Sequence, residues 1–325
     1  MTLNVLADIG GTNTRVALAN GAVVDRASEA KFSNQDYHAK GQDIAHILRD
    51  YLAQTGAKVS GVCVAAAGPV QDGVAEMTNL AWVIDGKKLT DATGAERVAI
   101  LNDLQAQGHA LGHVAGDALN TVLSGPARPG AAMLVVGLGT GVNAAPVHQT
   151  RHGRFVAPSE CGHMNMPIRS EEHLRLMRFV EDLLRQRGET PHCGVEEVLS
   201  GRGLANLGLF AAKEAGAAAP KDSADLLAQL AAGSPVAAHA ARLYTEILAM
   251  TLADLALIHL PYGGIYLIGG MGRAMAPHFA TYGLEATFRQ ARRVDLLETD
   301  FSVTVVEDDF AALTGCAAYL EGLSH

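Results

Sequence analysis

The sequence predicts an α/β protein built from two related domains. Three observations carry that prediction. The chain has 325 residues, 49% hydrophobic and 18% charged, which is too apolar for disorder and long enough to bury a sizeable core. Short apolar runs alternate with segments of helical periodicity. An apolar strand, a glycine–threonine turn and a second apolar strand occur around Gly10-Gly11-Thr12 and again around Gly139-Thr140-Gly141. This weak internal repeat suggests two related domains, each donating one glycine-rich turn to a shared cleft.

The elements follow in order. Residues 5–9 and 16–19 are apolar runs either side of Gly-Gly-Thr-Asn, which reads as strand, turn, strand. A third β run covers 23–32. Residues 43–52 place Ile44, Ile47, Leu48 and Leu52 at helical spacing. Residues 59–67 (VSGVCVAAA) form a continuous apolar run closed by Gly68-Pro69, as expected of a strand buried on both faces. Residues 98–101 are another, leading through Asn102-Asp103 into a helix to Leu111. The pattern restarts with runs at 132–136 and 142–147. The remainder is mainly helical. Leu174, Met177, Val180, Leu183 and Leu184 mark one face of a helix over 171–186, and a stripe from Val236 to Leu257 marks a longer one. Asp254 falls on that stripe and is expected to be a satisfied inner polar group. Residues 265–268 are a strand entering Gly269-Gly270, 303–306 a late strand and 310–320 a closing helix.

Charge and cysteine usage exclude several functions. A net charge of −9 argues against a nucleic-acid partner, yet it permits a phosphate ligand, since backbone N–H groups hold phosphate unaided. Four scattered cysteines make neither a disulfide framework nor a C-x-x-C zinc site. The first residues reach Asp8 before any long apolar stretch, and residues 236–260 are interrupted by His239, Arg242, Glu246 and Asp254. Neither a secretory signal nor a membrane span is expected, and the expected compartment is the cytoplasm.

Several residues can carry chemistry. A phosphate chain must approach the backbone closely, which Cβ atoms obstruct; glycine removes the obstruction and threonine adds a hydroxyl donor. Gly10, Gly11, Thr12 and Asn13, and Gly139, Thr140 and Gly141, fit that need, or are simply tight hairpin turns. The P-loop, Rossmann and protein-kinase signatures are absent. Asp103 stands where a buried strand runs into a helix; its carboxylate can take a hydroxyl proton during attack on phosphorus, or it or Asn102 merely caps the helix. Glu160 and His163, in Ser159-Glu160-Cys161-Gly162-His163, offer an acceptor and a donor to sugar hydroxyls, or make a polar surface turn. Cys161 lacks a basic neighbour and is a poor nucleophile. Glu196 and Glu197 look like the solvated start of a helix. Asp8 can hold Mg²⁺ through water, or serves the turn.

Taken together, ADIGGTNTR (7–15), AAAGPV (65–70), MTNLAW (77–82), LNDLQA (101–106), GLGTG (137–141), SECGHM (159–164), EEVLSGRGL (196–204) and LIGGM (267–271) resemble the bacterial glucokinase family of the sugar kinase and actin-like ATPase superfamily. The motifs occur in the family's order at closely similar spacing. The resemblance implies two actin-like (ribonuclease H-like) α/β domains flanking a cleft, one from 1–112 plus 304–325 and the other from 113–303. It implies ATP-dependent phosphorylation of glucose at its 6-hydroxyl, with Asp103 as general base. Asn79, Asn102, Glu160, His163 and Glu196 would bind the sugar, and both glycine-rich turns the nucleotide phosphates. Gly269 and Gly270 would form the adenosine-side loop, and Asp8 would hold Mg²⁺. A homodimer is expected on the same ground. Where the family often has Gly-Glu-Gly-Gly-His, Ser159 and Cys161 add bulk beside the sugar loop; mannose, fructose or an N-acetylhexosamine are the alternative substrates. A catalytically idle sugar or nucleotide sensor is the alternative class. Related ROK kinases carry a cysteine-rich zinc motif, but Cys193 stands alone here and no zinc is expected.

Overall fold

The structure, a computed structural model, describes residues 3–77, 80–151 and 153–323. It divides into two compact units: described residues up to 116, together with 147–157 and those from 308 onward, and a second unit of 117–146 and 158–307.

In the first unit, β1 (Leu3–Ile9), β2 (Asn13–Asn20) and β3 (Val23–Ser33) make an antiparallel meander. β4 (Gly61–Ala66) continues the sheet parallel to β1. Three short strands, β5 (Val70–Gln71), β6 (Val74–Met77) and β7 (Trp82–Asp85), form a separate small sheet. β8 (Arg97–Asn102) then returns to pair with β4, giving the order β3-β2-β1-β4-β8. Alternation splits the core into two layers. Val5, Ala7 and Ile9 pack with Ile44, Ile47, Leu48 and Tyr51 of the helix Ile44–Thr55. Leu6, Cys63 and Ala65 face Leu313, Cys316, Ala317 and Leu320 of the closing helix Ala311–Gly322. Both layers need β4, so all its residues are buried.

The helix Ile44–Thr55 starts at Asp43 with a reciprocal capping box and stops at Gly56, whose φ of 64° a side chain would resist. Ile9, Ala66 and Asn102 are in register, so the carboxyl ends of the three parallel strands lie side by side. In open α/β sheets that is where ligands bind.

The second sheet has the order β12-β11-β10-β13-β14-β9, where β9 is Leu119–Leu123, β10 Met133–Leu138, β11 Val142–Thr150, β12 Gly153–Val156, β13 Ile265–Ile268 and β14 Val303–Val306. β13 runs parallel to β10 and β14 to β13, while β9 is antiparallel to β14. Beyond residue 146, β11 and its partner β12 belong to the first unit. Counting from β10 reproduces the order found when counting from β1: third, second, first, fourth, fifth. The repeat suggested by the two turns therefore extends to strand topology. The core of this unit is dominated by the helix Pro235–His259, with Leu243, Ile247 and Leu252 fully buried. Asp254 on that helix is paired with Arg292 at 2.6 Å, so it is satisfied as expected, but its side chain is 45% exposed and it is not the inner group the stripe suggested.

One expected face is rotated. On the helix Glu171–Gln186 the buried residues are His173, Leu176, Val180 and Leu184; Leu174, Met177 and Leu183 are only half-buried. The cause is His173, which is drawn inside by accepting from the Arg169 amide at Nδ1 and pairing with Glu246 at Nε2. No helix among the described residues is long and apolar enough to cross a membrane.

Candidate functional site

In the first unit the expected residues gather at the carboxyl edge of the sheet. The β1–β2 turn is closed by Gly10 N–H donating to the Asn13 carbonyl at 3.0 Å. Asn34, itself buried, locks the turn from behind: its Nδ2 donates to the Gly10 carbonyl, and its Oδ1 accepts from the Thr14 hydroxyl at 2.7 Å. Gly11 and Thr12 are exposed, and a Cβ on Gly11 would meet nothing within 4 Å. Neither Gly10 nor Gly11 has positive φ. Gly11 provides open space over the backbone rather than an unusual dihedral, while Gly10 makes room for the Asn13 carbonyl, which a Cβ there would meet at 3.3 Å.

At the next strand end, Asn102 caps the helix Asp103–Ala110. Its Oδ1 accepts from the Leu104 amide at 3.0 Å, Gln105 bonds back to the Asn102 amide, and Asn102 Nδ2 donates to the Gly68 carbonyl at 2.9 Å. Asn102, not Asp103, is thus the cap. Asp103 is the first helical residue, half-buried, with Oδ1 accepting from the Leu104 amide at 2.8 Å.

Asp8, near the end of β1, has its carboxyl pushed up from 3.8 to about 6, first by burial and then by the Asp103 charge, against a smaller lowering by Arg15. Two carboxylates close enough to repel, with one of them desolvated, make an electrostatic position that a divalent cation relieves. Among the described residues no group of three or more His, Cys, Asp or Glu could hold a metal. Mg²⁺ keeps most of its waters and needs only one or two carboxylates beside phosphate, so Asp8 fits such an ion.

In the second unit the turn Gly139–Gly141 joins β10 to β11, closed by Gly139 N–H donating to the Gly141 carbonyl at 3.0 Å. The Gly201 amide, at the start of the helix Gly201–Ala215, donates to the Gly139 carbonyl at 2.9 Å. A pocket of about 610 Å³ opens between Gly139, Thr140, Gly201, Arg202, Gly270 and Met271. Cβ atoms on Gly139 or Gly270 would again meet nothing within 4 Å. Gly269, at φ 97°, turns the chain from β13 into the helix Gly270–Phe279.

Glu160 precedes a single helical turn, Cys161–His163, and His163 ends it; both are exposed. Asn143 holds this loop: its Oδ1 accepts from the Cys161 amide at 3.1 Å and the Ser159 hydroxyl at 3.0 Å, and its Nδ2 donates to the Ser159 carbonyl. Cys161 lies in the unit's hydrophobic core, where burial pushes its thiol up to about 11. The expected bulk beside the loop is therefore not found at Cys161, because its side chain turns into the core, and the Ser159 hydroxyl is taken up by Asn143 and Ala144.

Glu196 and Glu197 depart from a solvated helix start. Both are half-buried. Glu196 Oε2 accepts from the Val142 amide at 2.8 Å, and lies where Cβ atoms on Gly141 or Gly162 would crowd it, at 2.8 and 3.4 Å. One carboxylate thus touches both the glycine-rich turn and the Glu160–His163 loop. The two glycines make room for it.

Asn79 lies outside the described residues. Asn34, Asn143, Arg202 and Met271 were not singled out from sequence. Asn34 lies in an ordinary polar run, Ser33 to Asp36, at the start of a short helix, and Asn143 stands two residues beyond the quoted GLGTG; Arg202 and Met271 sit inside the quoted segments SGRGL and IGGM and signalled nothing alone.

The chain is similar to known proteins along almost its whole length. Residues 5–323 match the family described as glucokinase. The glucokinase of Brucella abortus biovar 1 (strain 9-941) is 32% identical over 321 residues, covering 97% of this chain and 90% of that protein. A glucokinase from an Antarctic psychrotroph, known from its crystal structure, superposes with a TM-score of 0.85 at 26% identity, covering 98% of this chain and 99% of its own. A ROK-family glucokinase from Streptomyces griseus, crystallised with glucose and AMPPNP, shares the fold at 19% identity with a TM-score of 0.64, covering 98% of each chain.

Proposed function

The chain belongs to the glucokinase family, with the α/β actin-like fold, and we propose that it transfers the γ-phosphoryl group of ATP to the 6-hydroxyl of glucose, with Asp103 as general base. The observation that carries this reading is the clustering of Gly10–Thr12, Asp8 and Asp103 at the carboxyl edge of one sheet. It is joined by a topologically equivalent glycine–threonine turn opening onto a pocket in the other unit.

The roles follow from chemistry. The Asp103 carboxylate accepts the proton of O6 as O6 bonds to the γ-phosphorus and the bond to the ADP oxygen breaks. Asn102, already committed to its cap and to Gly68, fixes Asp103 and has one amide N–H left for a sugar hydroxyl. Asn79, Glu160, His163 and Glu196 bind the remaining hydroxyls. Glu196 adds a second service, since its bond to the Val142 amide ties sugar recognition to the Gly139–Gly141 turn. The backbone of Gly10, Gly11, Thr12 and Asn13, and of Gly139, Thr140 and Gly141, faces the phosphates; Gly269 and Gly270 border the adenosine. Mg²⁺, held by Asp8 through water, would neutralise phosphate charge. We place the enzyme in the cytoplasm as a homodimer, on the family resemblance.

The test is an ADP-release assay across glucose, mannose, fructose and N-acetylglucosamine. Glucose should give the highest kcat/KM, with ADP release dependent on the sugar. Binding of glucose without turnover, or sugar-independent ATP hydrolysis, would reject the proposal.

A further inference from the structure

Of the six residues around the pocket in the second unit, three are glycines and one is Thr140. Only Arg202 and Met271 present extended side chains. Met271 is buried, with its Sδ beside Gly201; a Cβ there would lie 3.8 Å from the sulfur. Arg202 is 45% exposed, yet it is not free to swing. Its Nη1 donates to Glu189 Oε2 at 2.9 Å and its Nη2 to Glu197 Oε1 at 2.6 Å. The other oxygen of Glu197 is buried and has no partner among the described residues, so this carboxylate depends on Arg202.

An arginine at a nucleotide pocket invites assignment to phosphate. The geometry argues otherwise. Two of its five N–H groups, one on each terminal nitrogen, serve carboxylates, and two carboxylates with one guanidinium leave the group at a net −1, which repels phosphate. Those bonds lie in the guanidinium plane and leave its flat face and its stem uncovered. A planar, neutral, aromatic group is the ligand that such a face holds, through stacking and cation–π attraction. A thioether is also a favourable neighbour for an aromatic ring. The phosphate-facing part of the pocket, Gly139 and Thr140, is chemically distinct: backbone and a hydroxyl, with no charge.

We propose that Arg202, clamped by Glu189 and Glu197, is the wall on which the purine base of the nucleotide stacks, so that it holds the donor by its base rather than by its phosphates. This rests on the kinase reading above. Glu189 and Glu197 are positioning residues that present the guanidinium face.

The test separates the two claims. Wild-type protein is first assayed for glucose-dependent ADP release, which tests the kinase reading alone. Arg202→Ala and Arg202→Lys are then compared for kcat, for the KM of ATP and glucose, and for calorimetric affinity toward ADP and AMP. Both variants should raise the ATP KM about 5- to 30-fold, with kcat at saturating ATP and the glucose KM unchanged. ADP and AMP should lose affinity by the same factor. Lysine keeps the charge but not the plane, so a lysine variant with wild-type ATP KM would overturn the proposal. So would a loss for ADP that AMP does not share, which would mark a phosphate contact, or unchanged nucleotide affinity in Arg202→Ala. Equal losses for ADP and AMP in a protein without turnover would uphold the stacking wall while rejecting the kinase reading.

Discussion

At the scale of single residues, burial and charge set what each carboxylate can do. Asp8 holds its proton more tightly in the folded protein, at about 6 against an ordinary 3.8. The sign follows: its cost to folding is absent below pH 4, grows between pH 4 and 6, and is complete above 6. Asp8→Asn should therefore raise Tm at pH 8, by a stability on the order of 1–3 kcal/mol, and give no gain at pH 3.5. Melting curves at the two pH values check this; an equal gain at both would place the effect elsewhere. Asp103→Asn is near-isosteric, and its amide cannot take a proton. It should lower kcat by about 10²–10⁴-fold while glucose affinity changes little, as rapid-quench turnover and equilibrium binding would show. A variant that keeps near-normal turnover removes Asp103 from the chemistry. The motif around Asp103 was legible in sequence, but whether Asn102 or Asp103 capped the helix was not. That choice depended on the Gly68 carbonyl, 34 positions away, which holds the Asn102 amide.

At the scale of elements, glycines divide by what lies above them. A Cβ on Gly11 meets nothing within 4 Å, whereas one on Gly315 would lie 1.6 Å from the Ala106 carbonyl oxygen, where the closing helix crosses the helix Asp103–Ala110. Gly11→Ala should fold with Tm at or slightly above that of the parent, yet raise the ATP KM at least several-fold, because the methyl occupies the space a phosphate needs. Gly315→Ala should lose the folded state or most of its stability. Circular-dichroism melts and steady-state kinetics on the pair separate a ligand-facing glycine from a packing one. Asn143→Ala should free the Ser159–Cys161 loop and raise the glucose KM with less change in kcat; an unchanged KM would show that the loop holds itself. Strands and long helices were legible because their periodicity is local. The small sheet β5-β6-β7 and the edge strands β9 and β12 were not, because they are partly exposed and carry no continuous apolar run, whereas β13 and β14, though equally short, are buried and apolar.

At the scale of the molecule, ligand binding and folding are linked. If glucose binds only the folded chain, a concentration 100-fold above Kd should stabilise it by about 2.7 kcal/mol, seen as a rise in Tm that a non-binding hexose does not give; no shift would mean no specific sugar site. The sequence by itself determined the α/β class, the two-fold repeat, the family and the chemistry-bearing motifs, because alternation, helical spacing and glycine–threonine turns are properties of neighbouring residues. Only the tertiary structure decided which face of the helix Glu171–Gln186 is buried and that Cys161 turns into the core. It also decided that Glu196 bridges a turn and a loop and that Arg202 is clamped at a pocket wall. These rest on contacts that no local pattern specifies, such as His173 with Glu246, 73 positions away, and Glu196 with Val142, 54 away, and such pairings exist only once the chain has folded.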